Sequence, residues 1–314
     1  LAQAVALISG GQRFLCTAHA RRDGDALGAM LTTAAGLRAL GKEVHLYNQD
    51  KVPRRLLSLP GASTVRRRLP SSLRCDATLV HDTGARHLLG EHFPPSLLTG
   101  PLIVVDHHLV ADDFGAINLR DPAAASAGVV AARLLFALGL REDAMPLDMA
   151  HALFVSIVED TGWFRYPSTN PEALRLAASC LARGVQPWAV ARPLDEENPE
   201  SSLRLLTLVL PTLARHCDGK LAILTLSDDL LHKAGATGEE AGKLVNYARG
   251  LRGVEVGVLL TLGDKTIYAS LRSKGALDVA QVAQRFGGGG HKNAAGCTLP
   301  ASPDPESRAA AQQR

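Results

Sequence analysis

Short aliphatic runs alternate with longer stretches of helical spacing along most of the chain. In the first half, the runs at 13–19, 43–47, 77–82 and 102–106 have the length and branched content of strands. The segments 26–40, 127–138 and 146–158 repeat apolar residues at helical spacing, and Gly41 closes the first of them. Strands alternating with helices predict an α/β domain built on a parallel sheet with helices on both faces. "PSTNPEALRLAASCLARG" adds a loop, a cap at Thr169 or Asn170, a helix and a terminating Gly184.

The stretch 186–202 is rich in Pro, Glu and Ser and reads as a connector, which makes 1–185 the first domain. Beyond it the pattern restarts, with a helix at 203–216, a strand at 220–226, a helix near 239–249 and strands at 254–262 and 266–271. A smaller α/β domain over 203–299 is the expectation. Large apolar side chains then almost vanish, so 300–314 reads as a disordered tail.

Composition narrows the class. With 46% hydrophobic and 21% charged residues the sequence is that of a soluble globular protein, and with only 4% aromatics its core must be aliphatic. A net charge of +3 makes no phosphate track, and Arg66, Arg67 and Arg68 read as a solvated loop. Cys16, Cys75, Cys180, Cys217 and Cys297 are scattered without a Cys-x-x-Cys pair, which suits a reducing compartment and offers no zinc or disulfide framework. No run reaches the ~18 apolar residues of a membrane span, and no signal-peptide pattern opens the sequence. A cytoplasmic protein is expected.

The chemistry sits at strand ends. "RFLCTAH" ends in His19, and the turn after it carries Asp23 and Asp25 around Gly24; "ATLVHD" ends in Asp82; "LIVVDHH" ends in Asp106, His107 and His108. An apolar helix, "FVSIVEDTGWF", runs into Asp160. In an open parallel sheet the ligand crevice lies outside the carboxyl ends of the strands. Carboxylates crowded there repel one another unless cations sit among them. Aspartate with neutral imidazole suits Mn²⁺, Fe²⁺ or Zn²⁺, and an excess of carboxylate favours Mn²⁺ or Mg²⁺. Two such ions roughly 3.5–4 Å apart serve in-line displacement at phosphorus. His81, by strand alternation, points to the opposite face and reads as structural. Near the end of the chain, "RFGGGGHKNAAG" offers backbone N–H groups at Gly288, Gly289 and Gly290 and a donor at His291, and "SLRSKG" offers Arg272 and Ser273. Together they read as a phosphate-facing surface.

These segments resemble the motifs of the DHH phosphoesterase superfamily: "H-x-x-x-D-G-D-A-L-G" at 19–28, "D-x-x-x-R" at 82–86, "DHH" at 106–108 and "D-T-G-x-F" at 160–164. The "SLRSKG…GGGGHKNAAG" pair is similar to the DHH-associated domain. The resemblance runs to about residue 299 and is closest to the short NrnA-like bacterial subgroup, whose members degrade nano-RNA and remove the 3′-phosphate of phosphoadenosine phosphate. It implies an Mn²⁺-dependent phosphohydrolase holding two ions, with Mg²⁺ or Co²⁺ as substitutes. His19, Asp23 and Asp82 would hold one ion; Asp25, Asp82, His107 and Asp160 the other. Asp106 would orient an imidazole, and His108 would meet the scissile phosphate or its leaving oxygen. Arg272, Ser273, the glycines and His291 would bind the rest of the substrate. Short RNA and nucleotide phosphates are the implied substrates, no membrane is implied, and a homodimer stays open. Two alternatives stand beside this reading, a cyclic-dinucleotide phosphodiesterase and a non-catalytic nucleotide-binding regulator. Arg22 and Ala29 stand where the family commonly has proline and serine, and neither change removes an implied ligand.

Overall fold

The computed structural model describes residues 1–20 and 22–300. They fall into two compact units, Leu1–Glu197 and the chain from Asn198 onward. In the first unit, strands β1 (Arg13–Ala18), β2 (Glu43–Leu46), β3 (Ala77–His81), β4 (Leu102–Asp106) and β5 (Ile117–Arg120) form one parallel sheet in the order β2-β1-β3-β4-β5. β1 has β2 on one side and β3 on the other, so the direction of winding reverses there. That switch point opens a crevice at the carboxyl ends of β1 and β3.

Strand alternation divides the apolar residues between two cores. Phe14, Cys16 and Ala18 of β1, Leu79 of β3 and Val105 of β4 pack with helices α1 (Ala2–Gly10), α2 (Gly24–Ala39), α3 (Ala127–Ala137), α4 (Leu147–Asp160) and α5 (Pro171–Ala182). Leu15, Val80 and Val104 point the other way, toward Leu89 and Leu97 on the 3₁₀ turns Arg86–Leu89 and Pro95–Leu97. Both faces are covered, one by α-helices and the other by short 3₁₀ helices. The α5 start is as expected: Asn170 accepts from the N–H of Ala173 at 2.9 Å and Pro171 occupies the first turn.

Several expected elements are refined. α1 and β5 were not anticipated; α1 shows only Ala4 and Ile8 as buried residues, and β5 is four residues long. Much of the expected connector is ordered on the first unit: α6 (Pro187–Ala191) and a π-helical turn (Arg192–Glu196) bury Val190 and Leu194 in its core. α7 (Glu200–Val209) then begins the second unit. The helix expected to reach 216 stops early, because Pro211 has no N–H to continue it, and β6 (Ala214–His216) follows as an edge strand.

The second unit holds β6, β7 (Leu221–Ser227), α8 (Asp228–Ala234), α9 (Val245–Gly250), β8 (Val256–Leu262), β9 (Thr266–Ser273), α10 (Val279–Gln284), β10 (Gly289–His291) and β11 (Ala294–Pro300). The helix expected over 239–249 is two pieces, a 3₁₀ turn at Gly238–Ala241 and α9, with Gly242 just after the first. The six strands order as β10-β11-β9-β8-β7-β6, and only β7 with β8 is parallel. Alternation again makes two cores, one around Ala222, Leu224 and Leu226, the other around Val279, Ala280 and Ala283 of α10. Of the tail expected at 300–314, Pro300 ends β11 instead, and the rest lies outside the described residues.

α2 packs closely on α4 at Gly28, where an added Cβ would lie 2.7 Å from the carbonyl oxygen of Ala152 and 2.9 Å from the nitrogen of Ser156. These are helix backbone atoms and cannot step aside. Gly28→Ala should therefore destabilise the protein by about 1–3 kcal/mol despite alanine's better helix propensity. A urea midpoint equal to or above that of the parent would contradict this packing.

Candidate metal centre

Every donor expected at the sheet rim of the first unit arrives there. His19 follows β1, Asp23 caps α2, and Asp25 lies in its first turn. Asp82 follows β3, Asp106 ends β4 with His107 and His108 beyond it, and Asp160 ends α4. Asp82 sits at the centre. Its Oδ2 lies 3.4 Å from His19 Nε2, and its Oδ1 lies 3.7 Å from His107 Nε2 and 3.5 Å from His108 Nδ1. His107 Nε2 also lies 3.3 Å from Asp25 Oδ2 and 3.0 Å from Asp160 Oδ2. The donors form three-residue sets around Asp82, including His19–Asp23–Asp82 and Asp25–Asp82–His107, each with one donor atom per residue within 4.8 Å of the others.

The supports for these side chains come from the backbone. The ring of His107 faces the carbonyl of Ala124 through Nδ1 at 3.1 Å, and His19 faces that of Ala20 at 2.6 Å. A carbonyl can only accept, so both Nδ1 atoms carry the proton and both Nε2 atoms turn to the carboxylates. Such carbonyl partners are the usual means of orienting a metal-binding imidazole. His108 Nδ1 donates to Asp106 Oδ1 at 2.7 Å, the orienting role implied for Asp106. Asp25 is fully buried at the start of α3, where its Oδ2 accepts from the N–H of Ala127 at 2.7 Å and its Oδ1 from that of Gly128 at 3.2 Å. The positive end of the helix thus faces a carboxylate. Ser156 Oγ adds a short hydrogen bond to the same Oδ1. Asp82 has φ +49°, a left-handed conformation that a non-glycine residue keeps only when its surroundings hold it there.

The electrostatics describe a site that demands positive charge. Burial works against protonation of His19, yet the hydrogen bond and charge of Asp82, with Asp23 behind them, push its pKa up to about 9. Burial opposes His107 likewise, and Asp160, Asp25 and Asp82 overcome it and hold the imidazole well above its ordinary value. Asp25 is pushed well upward by burial and then by the charges of Asp82 and Asp160. Asp23 touches solvent at the rim, but the protein mass around it and the charge of Asp82 raise it too. Asp82 moves the other way: burial would raise it, and the three imidazoles around it win. Asp82 Oδ1 and Asp106 Oδ2 are buried oxygens that accept no hydrogen bond. Orphaned acceptors are costly, and for Asp82 Oδ1, set among imidazoles and carboxylates, a cation would satisfy the need. The donor set fits a pair of divalent ions.

His81 is the contrast that alternation requires. Fully buried, it faces the carbonyl of Thr17 through Nδ1 at 2.9 Å and Thr33 Oγ1 through Nε2 at 2.8 Å, and burial lowers its pKa to about 4. Ser156 was missed from the sequence, although it is the only hydroxyl in the apolar run 152–158.

The residues expected to face substrate in the second unit fare unevenly. Arg272 is next to last in β9 and His291 ends β10, and both register opposite Ala294 of β11, the strand between them. Ser273 does not fit the expectation: it is buried, and its hydroxyl donates to the carbonyl of Leu277 and accepts from Asn293 Nδ2, bracing a loop. Within the glycine run, Gly289 meets open space, while Gly288 and Gly290 pack tightly against β11. Gly287 (φ +71°) closes α10, and an added Cβ on Gly288 or Gly290 would lie 2.2 Å or 2.4 Å from a carbonyl oxygen of β11.

Comparison with known proteins adds independent findings. Residues 13–157 match the model of the DHH family, N-terminal domain, and residues 218–314 that of the DHHA1 domain. The chain is 34% identical over 284 residues to the bifunctional oligoribonuclease and PAP phosphatase NrnA of Thermus thermophilus, a match covering 90% of this chain and 82% of that protein. It is 25% identical over 227 residues to the Bacillus subtilis protein of the same name, covering 70% and 69% of the two. An exopolyphosphatase-related protein from Bacteroides fragilis superposes with a TM-score of 0.89 at 23% identity, over 100% of this chain and 95% of that one, a likeness of fold.

The charges of the site give a pH-dependent outcome. In chelator-treated protein at pH 7 the His19 imidazole is protonated, since its pKa is about 9. A divalent ion must displace that proton to reach Nε2. Titration with Mn²⁺ at pH 7 should therefore release protons, and the release should fall as the pH rises past 9. Binding heats that do not vary with buffer ionisation enthalpy at pH 7 would refute this.

Proposed function

The chain belongs to the DHH family of phosphoesterases, and on that premise we propose that it degrades short oligoribonucleotides and removes the 3′-phosphate of phosphoadenosine phosphate. One observation carries the proposal, the convergence of His19, Asp23, Asp25, Asp82, His107 and Asp160 at the switch point of the parallel sheet. His19, Asp23 and Asp82 would hold one cation, and Asp25, Asp82, His107 and Asp160 the other, so that Asp82 is shared. Mn²⁺ is the proposed ion, because a set dominated by carboxylates with imidazole favours it, with Mg²⁺ and Co²⁺ as the other ions to try. Such a pair supplies Lewis acidity toward the phosphate oxygens and toward water.

The protein's own groups do the positioning. Asp106 fixes the proton of His108 on Nδ1, and its hydrogen bond, followed by the charge of Asp82, holds this imidazole above its ordinary pKa against burial. A ring whose protonated form is favoured in this way can give a proton from Nε2 to the leaving oxygen, or bind the scissile phosphate. The rigid strand ends keep the donors fixed as charge develops on phosphorus, so little reorganisation is needed. Arg272 and His291 of the second unit are proposed to bind the substrate away from the scissile bond. No helix among the described residues is long and apolar enough to cross a membrane. A cytoplasmic location is part of the proposal.

The test is a panel: chelator-treated protein given Mn²⁺, Mg²⁺ or Co²⁺ and assayed on short RNA, phosphoadenosine phosphate and c-di-AMP. Hydrolysis of the first two ahead of the third is expected, and faster turnover of the cyclic dinucleotide would replace the proposal. Asp82→Asn should lower kcat by about 10²–10³-fold or more while circular dichroism stays that of the parent. A folded variant with full activity would remove Asp82 from the centre. Arg272→Ala should mainly raise KM, and unchanged kinetics on both nucleotide substrates would argue against its assignment.

A further inference from the structure

The segment after β2 belongs to none of the motifs, yet it grips the donor-bearing loop after β1. Asn48 is 1% exposed and its whole amide is engaged. Nδ2 donates to the carbonyls of Ala18 at 3.1 Å and His19 at 2.9 Å, and Oδ1 accepts from the N–H of Asp50 at 3.0 Å. Only this orientation of the amide serves all of them, since the reverse would set its oxygen against two carbonyls. On the β2 side the regular pairing of β1 ends at Cys16 opposite Leu46, with one more bond from the N–H of Tyr47 to the carbonyl of Cys16. Beyond that point the Asn48 side chain takes over from the ladder.

Two further ties hold the same loop. The N–H of Ala20 donates to the carbonyl of Leu88 at 2.8 Å. The buried Arg22 donates through Nη2 to the carbonyl of Asp50 at 3.1 Å. The segment 48–50 therefore restrains this loop near both its candidate donors, His19 and Asp23. The other donors rest on different supports: Asp25 on the start of α3 and Ser156, His107 on the carbonyl of Ala124. Asp23 also caps α2 through the N–H of Ala26 at 3.0 Å, so the bracing from 48–50 falls chiefly on His19.

We propose that Asn48 is a positioning residue for one cation of the pair, the one assigned to His19, Asp23 and Asp82, and leaves the other unaffected. This rests on the two-cation reading above. A side chain that merely stabilised the fold would weaken both ions together or neither. A support beneath a ligand typically alters metal affinity 10–100-fold, and here the effect should fall on a single binding event.

The experiment is calorimetric titration of the chelator-treated full chain with Mn²⁺, for the parent, Asn48→Ala and Asn48→Asp. The aspartate variant is nearly isosteric and keeps an acceptor for the N–H of Asp50, while it replaces the donor with an oxygen that faces the two carbonyls. It serves if the alanine variant fails to fold. The parent should bind two ions. Each folded variant should keep one event at parental affinity and weaken the other at least about tenfold. Equal weakening of both events, or no change in either, in a variant with parental circular dichroism would overturn the role of Asn48. A parent that binds fewer than two ions would instead remove the two-cation reading, and this proposal with it.

Discussion

Several aspartates meet at one place where water is largely excluded, and the rest of the first unit is arranged around that repulsion. Asp25 and Asp106 are fully buried and Asp82 is 4% exposed. Like charges at such separations interact far more strongly in a protein interior than in water, and a buried charge is tolerated only when paired and hydrogen-bonded. Without metal the chain answers with protons, which is why His19 and His107 are held so basic and Asp25 so reluctant to ionise. Cations at the same point relieve the same stress more completely, because each brings two charges where an imidazole brings one.

The fold meets this demand with groups that are themselves neutral or only partly charged. The start of α3 points its N–H groups at Asp25, and the carbonyls of Ala124 and Ala20 turn two imidazoles so that their second nitrogens face inward. The turn at Asp82 accepts a left-handed backbone to bring its carboxylate to the middle. Close helix packing at Gly28 lets α4 approach α2, and with it Asp160 reaches the carboxylates of the α2 N-terminus. No single element makes the centre. It exists because parallel strands deliver their ends to one rim.

Much of this was legible in the sequence, for identifiable reasons. "VVDHH", "VHD" and "CTAH" each set a titratable group at the end of an apolar run, a signal that survives without knowledge of any tertiary contact. His81 was separable from Asp82 by alternation alone. What escaped were groups whose importance lies across the fold: Ser156 on a distant helix, Asn48 after a neighbouring strand, and the peptide carbonyls, which no side-chain pattern reveals. Residues 186–202 misled because Pro and Glu density resembles a connector, while Val190 and Leu194, the residues that anchor the stretch, are only two among many. In the glycine run, tight backbone approach to β11 and approach to a ligand call for the same residue, so the sequence does not separate the two.

The distance along the chain between the donors has a kinetic corollary. His19 and Asp160 lie at opposite ends of most of the first unit, and between them β2, β3, β4 and α3 must all be in place before their side chains can meet. An unfolded chain therefore offers a divalent ion no preformed grip, and ions held by these donors would act late on the route to the native state. Interactions absent from the folding transition state slow unfolding rather than hasten folding. Divalent ions bound there would accordingly lengthen the life of the native fold and leave the speed of its formation nearly untouched.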